Sequence, residues 1–216
     1  MPGHVSTRET KIMRAEAVFK FALIAALMGP VLAAAQTPTP PTRIRGTIEK
    51  FEGHTLTVVS LDGKRVIITL APDFTVRAVV AERLADIKPG EKVGITSVNG
   101  PSGTRQALEI HIFPAGMTSV RMGESTTDRG PDSLMTNAPV AQVTAAPQGH
   151  VIKVTLNGRE REITIPPNTP IVTYANGDAT LLKPGATVFI IARKAPEGNL
   201  TATGVTAEKN GVKPPM

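Results

Sequence analysis

Apolar and polar residues alternate at every second position through short runs that end at Gly, Pro, Asp or Asn. Leu56 and Val58, then Val59 and Leu61, lead up to Asp62-Gly63, after which Val66, Ile68 and Leu70 recur at alternate positions. A period of two is the mark of a half-buried strand. Alternation on both sides of Asp-Gly predicts a hairpin whose two turn residues have positive φ. The same arrangement returns at Val154-Thr155-Leu156, Asn157-Gly158 and Ile163-Thr164-Ile165. Pro72-Asp73 and Pro167-Asn168 predict turns into short strands over 74–79 and 171–174. Residues 81–87 predict one or two helical turns, and Asn176-Gly177-Asp178 predicts a shorter helix in the later segment. Lys88-Pro89-Gly90 and Lys183-Pro184-Gly185 then turn the chain into strongly apolar strands, 93–98 and 188–192. Gly-containing loops at 99–103 and 196–198 lead to last strands over 105–113 and 200–207.

The recurrence is an internal repeat. A shift of 95 residues superimposes Leu61–Ile110 on the later segment without a gap, with 13 of 50 positions identical. Gly63 falls on Gly158, Pro72 on Pro167, Gly90 on Gly185 and Gly103 on Gly198. Chance alignment of apolar strands would not bring turn glycines and prolines into register, so the chain holds two copies of one unit. Three strands, a short crossover and two more strands is the order of an OB-type barrel, and closure removes exposed sheet edges. The expectation is an all-β protein. It comprises two tandem OB-like barrels of five to six strands at 43–113 and 138–207, with a loop-rich linker at 114–137 and a tail at 208–216. A single sandwich built from both copies is the alternative. In the linker the period of two is lost, so it reads as irregular.

The pattern resembles a domain-of-unknown-function family of exported bacterial OB-like repeats. It is carried by Gly46, Asp62-Gly63, Leu84 with Asp86-Ile87-Lys88-Pro89-Gly90, Gly103 and Ala107. The second copy matches at Asn157-Gly158, Leu181-Leu182-Lys183-Pro184-Gly185, Gly198 and Ala202, and the 95-residue shift sets Ala141 on Gly46. The resemblance implies fold and export. It implies no catalytic chemistry.

Export is also read from the first 35 residues. Lys11, Arg14 and Lys20 precede an apolar run from Phe21 to Ala35, which ends in Ala33-Ala34-Ala35 before Gln36. A basic segment, an apolar run and small residues at its end make a secretory signal, with cleavage expected between Ala35 and Gln36. A membrane anchor is the alternative, disfavoured because a span needs about 20 apolar residues and Gly29-Pro30 interrupts these. The signal is complete from Met13 as well as from Met1. A Pro/Thr-rich stretch, 36–42, follows. The expected compartment is the periplasm or the extracellular space, and the expected partner another envelope protein.

Composition narrows function by exclusion. The chain has no cysteine, so disulfides, thiolate ligands and thiol nucleophiles are out of reach. Its net charge of +6 falls to +4 once Arg8, Lys11, Arg14, Lys20, Glu9 and Glu16 leave with the signal. A mildly basic, well-mixed chain lacks the concentrated stripe of a nucleic-acid binder. Aromatic residues make up 3%. With Phe74, Phe113 and Phe189 expected in the cores, too few remain to stack bases or sugars.

Candidate chemistry is thin. His54, His111 and His150 lack metal-ligand spacing, and His54 and His150 differ by 96, one off the repeat; all three read as exposed surface residues. Met117, Met122 and Met135 are soft donors suited to Cu(I), though not in a Met-x-x-Met array. Glu124, Asp128, Asp132 and Asp178 sit in loops, where carboxylates are usually solvated, and no Gly-x-Ser-x-Gly occurs. No catalytic residue and no cofactor is expected. The leading expectation is an exported, non-enzymatic binding or scaffolding protein. Copper or zinc handling by His and linker Met is the alternative, and a hydrolase with a loop carboxylate site comes last.

Overall fold

The computed structural model describes residues 1, 3 and 40–215, apart from 119 and 148. The expected signal and its cleavage point lie outside the described residues. No described helix is long and apolar enough to cross a membrane.

Among the described residues twelve strands follow in order: β1 (Thr42–Glu52), β2 (Thr55–Ser60), β3 (Arg65–Ala81), β4 (Lys92–Asn99), β5 (Arg105–Ile112), β6 (Gly123–Thr126), β7 (Leu134–Ala146), β8 (Gly149–Leu156), β9 (Arg159–Ile165), β10 (Ile171–Asn176), β11 (Thr187–Lys194) and β12 (Leu200–Ala207). Strand pairing closes two five-stranded rings. One is β1-β2-β3-β12-β11, shut by β11 on β1, and the other is β7-β8-β9-β5-β4, shut by β4 on β7. Both have the OB order, with the third and fifth strands parallel in each ring.

The rings do not follow the boundaries of the repeat. Each takes its first three strands from one copy and its last two from the other. One core joins Ile48, Leu56 and Ile68 to Val188, Ile190 and Ala202; the other joins Ile152, Val154 and Ile163 to Val93, Ile95 and Ile110. The segments 43–113 and 138–207 are repeat units whose barrels are completed by exchange. The cause is local. Pro72-Asp73 does not reverse the chain: residues 71–74 form a bulge opposite Thr203, and β3 runs on to Ala81. Its outer half stays paired with β12 as far as Ala78 and pairs with β10 out to Ala81, and the crossover that follows delivers β4 to the other ring. The short 3₁₀ helix Leu84–Asp86 lies in this crossover, and its counterpart Ala179–Leu181 is of equal length rather than shorter. Gly90 N–H then donates to Val140 O and Gly185 N–H to Ile48 O, both at 2.8 Å. Each Lys-Pro-Gly turn is thus fastened to the other copy's first strand.

Three further details correct the sequence reading. The hairpin after β8 turns on Asn157 (φ 50) and Gly158 (φ 73), as expected for a two-residue loop. Its counterpart is one residue longer: Ser60 N–H donates to Lys64 O, and of Asp62 and Gly63 only the glycine has positive φ. Because Gly46 opposes Val188 and Ala138 opposes Val93, the residue matching Gly46 is Ala138, not Ala141. The linker is not irregular throughout, since Gly123–Thr126 pairs with Leu134–Asn137. Ser125 and its neighbours Glu124 and Thr126 are exposed, and a strand with no buried face leaves no alternation to read.

Candidate functional site

On β5, Ile110 and Ile112 enter the barrel core. Period two sends Glu109 and His111 out through the opposite face, where a barrel would ordinarily meet water. Here that face is covered, and each residue is only 1% exposed. Thr96 Oγ1, on the neighbouring β4, donates to Glu109 Oε1 at 2.7 Å. His111 Nε2 lies 3.5 Å from the same oxygen, too long for a good hydrogen bond. Its Nδ1 is 2.9 Å from the Tyr174 hydroxyl, and the two rings stack with centroids 5.6 Å apart. Phe113 lies parallel to the same tyrosine ring at 6.2 Å. Glu109 Oε2 and His111 Nε2 are buried without a hydrogen-bond partner among the described residues. Buried polar atoms are normally satisfied, and two unmet ones side by side mark a place where another group is wanted.

The electrostatics fit a retained charge. Burial, the largest single influence on Glu109, pushes its carboxyl up; His111, the Thr96 hydroxyl and Arg129 together outweigh it and hold the group below its ordinary value. Burial, with the Glu109 charge behind it, pushes the Tyr174 phenol well above its ordinary value. Tyr174 therefore stays an O–H that can hold His111 in place.

His111, Phe113 and Tyr174 line a cleft of about 300 Å³ between the barrels, and Glu109 and Thr96 are buried next to it. His111, Phe113, Met135 and Asn137 come from the second ring, and Arg77, Phe189 and Thr206 from the first. Met117, Val120 and Arg121 of the linker close one side. Gly94 makes room for two of these side chains: a Cβ there would stand 2.7 Å from the Phe113 ring and 2.8 Å from Asn137 Oδ1. The linker is anchored nearby by Arg45, which forms a bidentate pair with Asp128 and sits 5.0 Å over the Phe189 ring.

The polar cluster belongs to one copy only. By repeat register, Glu109, His111 and Thr96 answer to Gly204, Thr206 and Ile191, while Tyr174 answers to Val79. Gly94 answers to Phe189, so an aromatic ring fills the space in one copy that Gly94 leaves to Phe113 in the other. The two sides of the cleft are built on the same frame with different chemistry.

Of the sequence candidates, the cleft gathers His111, Met117 and Met135. His111 is fully buried and not a surface residue. His54 is exposed, His150 is partly buried, and neither lines the cleft. They are nevertheless equivalent, because the one-residue difference between the hairpins accounts for their spacing of 96. Met122 is 37% exposed. Glu124 accepts from Thr136, Asp128 pairs with Arg45, the Asp132 carbonyl accepts from Arg105, and Asp178 caps Thr180. These four carboxyl-bearing residues meet separate partners and form no pair. Phe113 and Phe189 face the cleft and not the cores, while Phe74 packs against the first core. Sequence reasoning passed over Glu109 and Tyr174. Comparison with protein-family models, with curated proteins and with solved structures finds no match.

Proposed function

We propose that this chain is an exported, non-enzymatic binding protein whose ligand seats in the cleft between the two barrels. The observation that carries the reading is the cleft's lining, where His111 Nε2 is buried with unmet hydrogen-bonding capacity beside the buried Glu109, among aromatic and thioether side chains. Concave, largely apolar sites with a few convergent polar groups are the usual form of ligand pockets. The chemistry favours binding over turnover. Tyr174 stays protonated and the Thr96 hydroxyl donates to Glu109, so neither hydroxyl is poised as a nucleophile. Export rests on the basic and apolar pattern of the first 35 residues and on the resemblance to exported OB-like repeats. Such a protein would collect its ligand outside the cytoplasm and present it to another envelope component.

The reading is tested with 8-anilinonaphthalene-1-sulfonate, a fluorescent apolar anion. The protein should enhance its emission, and Thr206→Trp, which fills the cleft from a half-buried strand position, should abolish most of that signal without lowering Tm. Equal enhancement by the folded variant would place the dye elsewhere and remove the cleft's claim.

A further inference from the structure

We infer that the cleft binds a single Cu(I) ion through His111 Nε2 and the thioethers of Met135 and Met117, with Glu109 as the charge partner. This rests on the reading of the cleft as a ligand site and names its ligand. Three separate elements bring the donors together: β5 carries His111, β7 carries Met135 and the linker carries Met117. Met135 Sδ is 3.9 Å from Thr96 Oγ1, which is itself bonded to Glu109 Oε1, so thioether, carboxylate and imidazole belong to one cluster.

His111 has the form of a metal ligand. One ring nitrogen is fixed by Tyr174, and the other is buried and unpartnered. Metal-bound histidines are ordinarily held in this way, with the second nitrogen donating to an oriented oxygen that fixes tautomer and ring plane. For Nε2 to offer its lone pair, Nδ1–H must donate to the Tyr174 oxygen, and the 2.9 Å separation allows it.

Softness and charge select the ion. Thioether sulfur suits Cu(I), whereas zinc sites favour thiolate, imidazole and carboxylate, and hard cations favour oxygen alone. Arg77 and Arg121 at the mouth oppose any cation, but both are exposed and solvated, and they oppose a monovalent ion half as strongly as a divalent one. Glu109, whose Oε1 is 3.5 Å from His111 Nε2, places an acidic group beside the ion. The other copy offers Thr206, Ile191 and Gly204 at the matching places, so one site per chain is expected.

The full-length protein is titrated against Cu(I) held by bicinchoninate under reducing, anaerobic conditions. One equivalent should be withdrawn from the chelator. Met135→Leu and Met117→Leu keep the volume and remove the sulfur, and each should weaken binding at least tenfold with unchanged circular dichroism. His54→Ala and His150→Ala should bind like the parent. X-ray absorption of the loaded protein should show both sulfur and nitrogen scatterers, with sulfur reduced in the Met variants. Failure to withdraw copper, or parent-like affinity in either Met variant, would overturn the assignment. If dye binding in the cleft persists while copper is refused, the ion is wrong and the cleft reading stands. If copper binds as described and Thr206→Trp leaves dye binding unchanged, the ion stands and the dye sits elsewhere.

Discussion

Val79 and Tyr174 hold the same position in the two copies of the repeat, and they face each other directly in the antiparallel pairing of β3 with β10. A pseudo-twofold axis therefore passes between them. Ala78 opposite Ala175 and Val80 opposite Thr173 obey the same relation. So do the parallel pairs Val76 with Val205 and Ile171 with Ile110. The arrangement is that of a symmetric, strand-exchanged dimer drawn on one continuous chain.

A single copy should therefore not complete a barrel by itself. The fragment 40–113 contributes three strands to one ring and two to the other, so its apolar strands lack partners in the monomer. It is expected to fold only as a homodimer, with a Tm that rises with concentration. Sedimentation and melting at several concentrations check this. A folded monomer with a concentration-independent Tm contradicts it.

The hairpin turns should respond differently to substitution. Gly158 has φ 73 beside Asn157, also at positive φ, in the tighter of the two loops. Gly158→Val forces a β-branched residue into the left-handed region and should cost about 1–2 kcal/mol or more. For a protein of this length that lowers Tm by several degrees. Asp62→Gly should change stability little, since Asp62 needs no positive φ. Thermal denaturation of both variants decides the point.

Much of the fold was legible because turn chemistry and period-two alternation are local. Asp62-Gly63, Asn157-Gly158 and the two Lys-Pro-Gly turns set out the strands and their OB order. The exchange was not legible, because Val93 and Val188 head equally apolar strands and either can lie beside Gly46. His111 looked isolated, and Glu109 drew no notice, for a similar reason: Thr96, Met135 and Tyr174 reach them from three other strands. One local signal was available. Phe113 shares a face with Glu109 and His111, and an aromatic ring on the face opposite Ile110 and Ile112 hints that this face is covered.

Glu109 should give the protein an acid limb. Its carboxyl lies below the ordinary value of 4.5 in the folded state, so its contribution is present above that pH and is lost as pH falls through the folded value. Glu109→Gln should flatten stability below about pH 4.5, the slopes differing by at most one proton, about 1.4 kcal/mol per pH unit. Urea unfolding from pH 3 to 6 measures it. Identical slopes would mean that the carboxyl is not held in this way.

Gly94, beside the cleft, should tolerate a side chain poorly. Gly94→Val must displace the Phe113 ring and the Asn137 side chain, for an expected cost of about 1–3 kcal/mol. Dye binding in the cleft should weaken with it. Calorimetry and fluorescence on one sample separate the two effects, and a variant as stable as the parent would contradict the packing described.

The exchange of strands builds the cleft, and a cysteine-free chain allows it to be tested without background. Thr47 and Thr187 are directly opposed in the pairing of β1 with β11, close enough for a disulfide between substituted cysteines. Without exchange, Lys92 would take the place of Thr187. The double variant Thr47→Cys/Thr187→Cys should oxidise to an intramolecular disulfide, read by mass and by non-reducing gel mobility, with the protein monomeric and folded. Thr47→Cys/Lys92→Cys should remain reduced under the same conditions. Rapid disulfide formation in the second variant and none in the first would contradict the exchange.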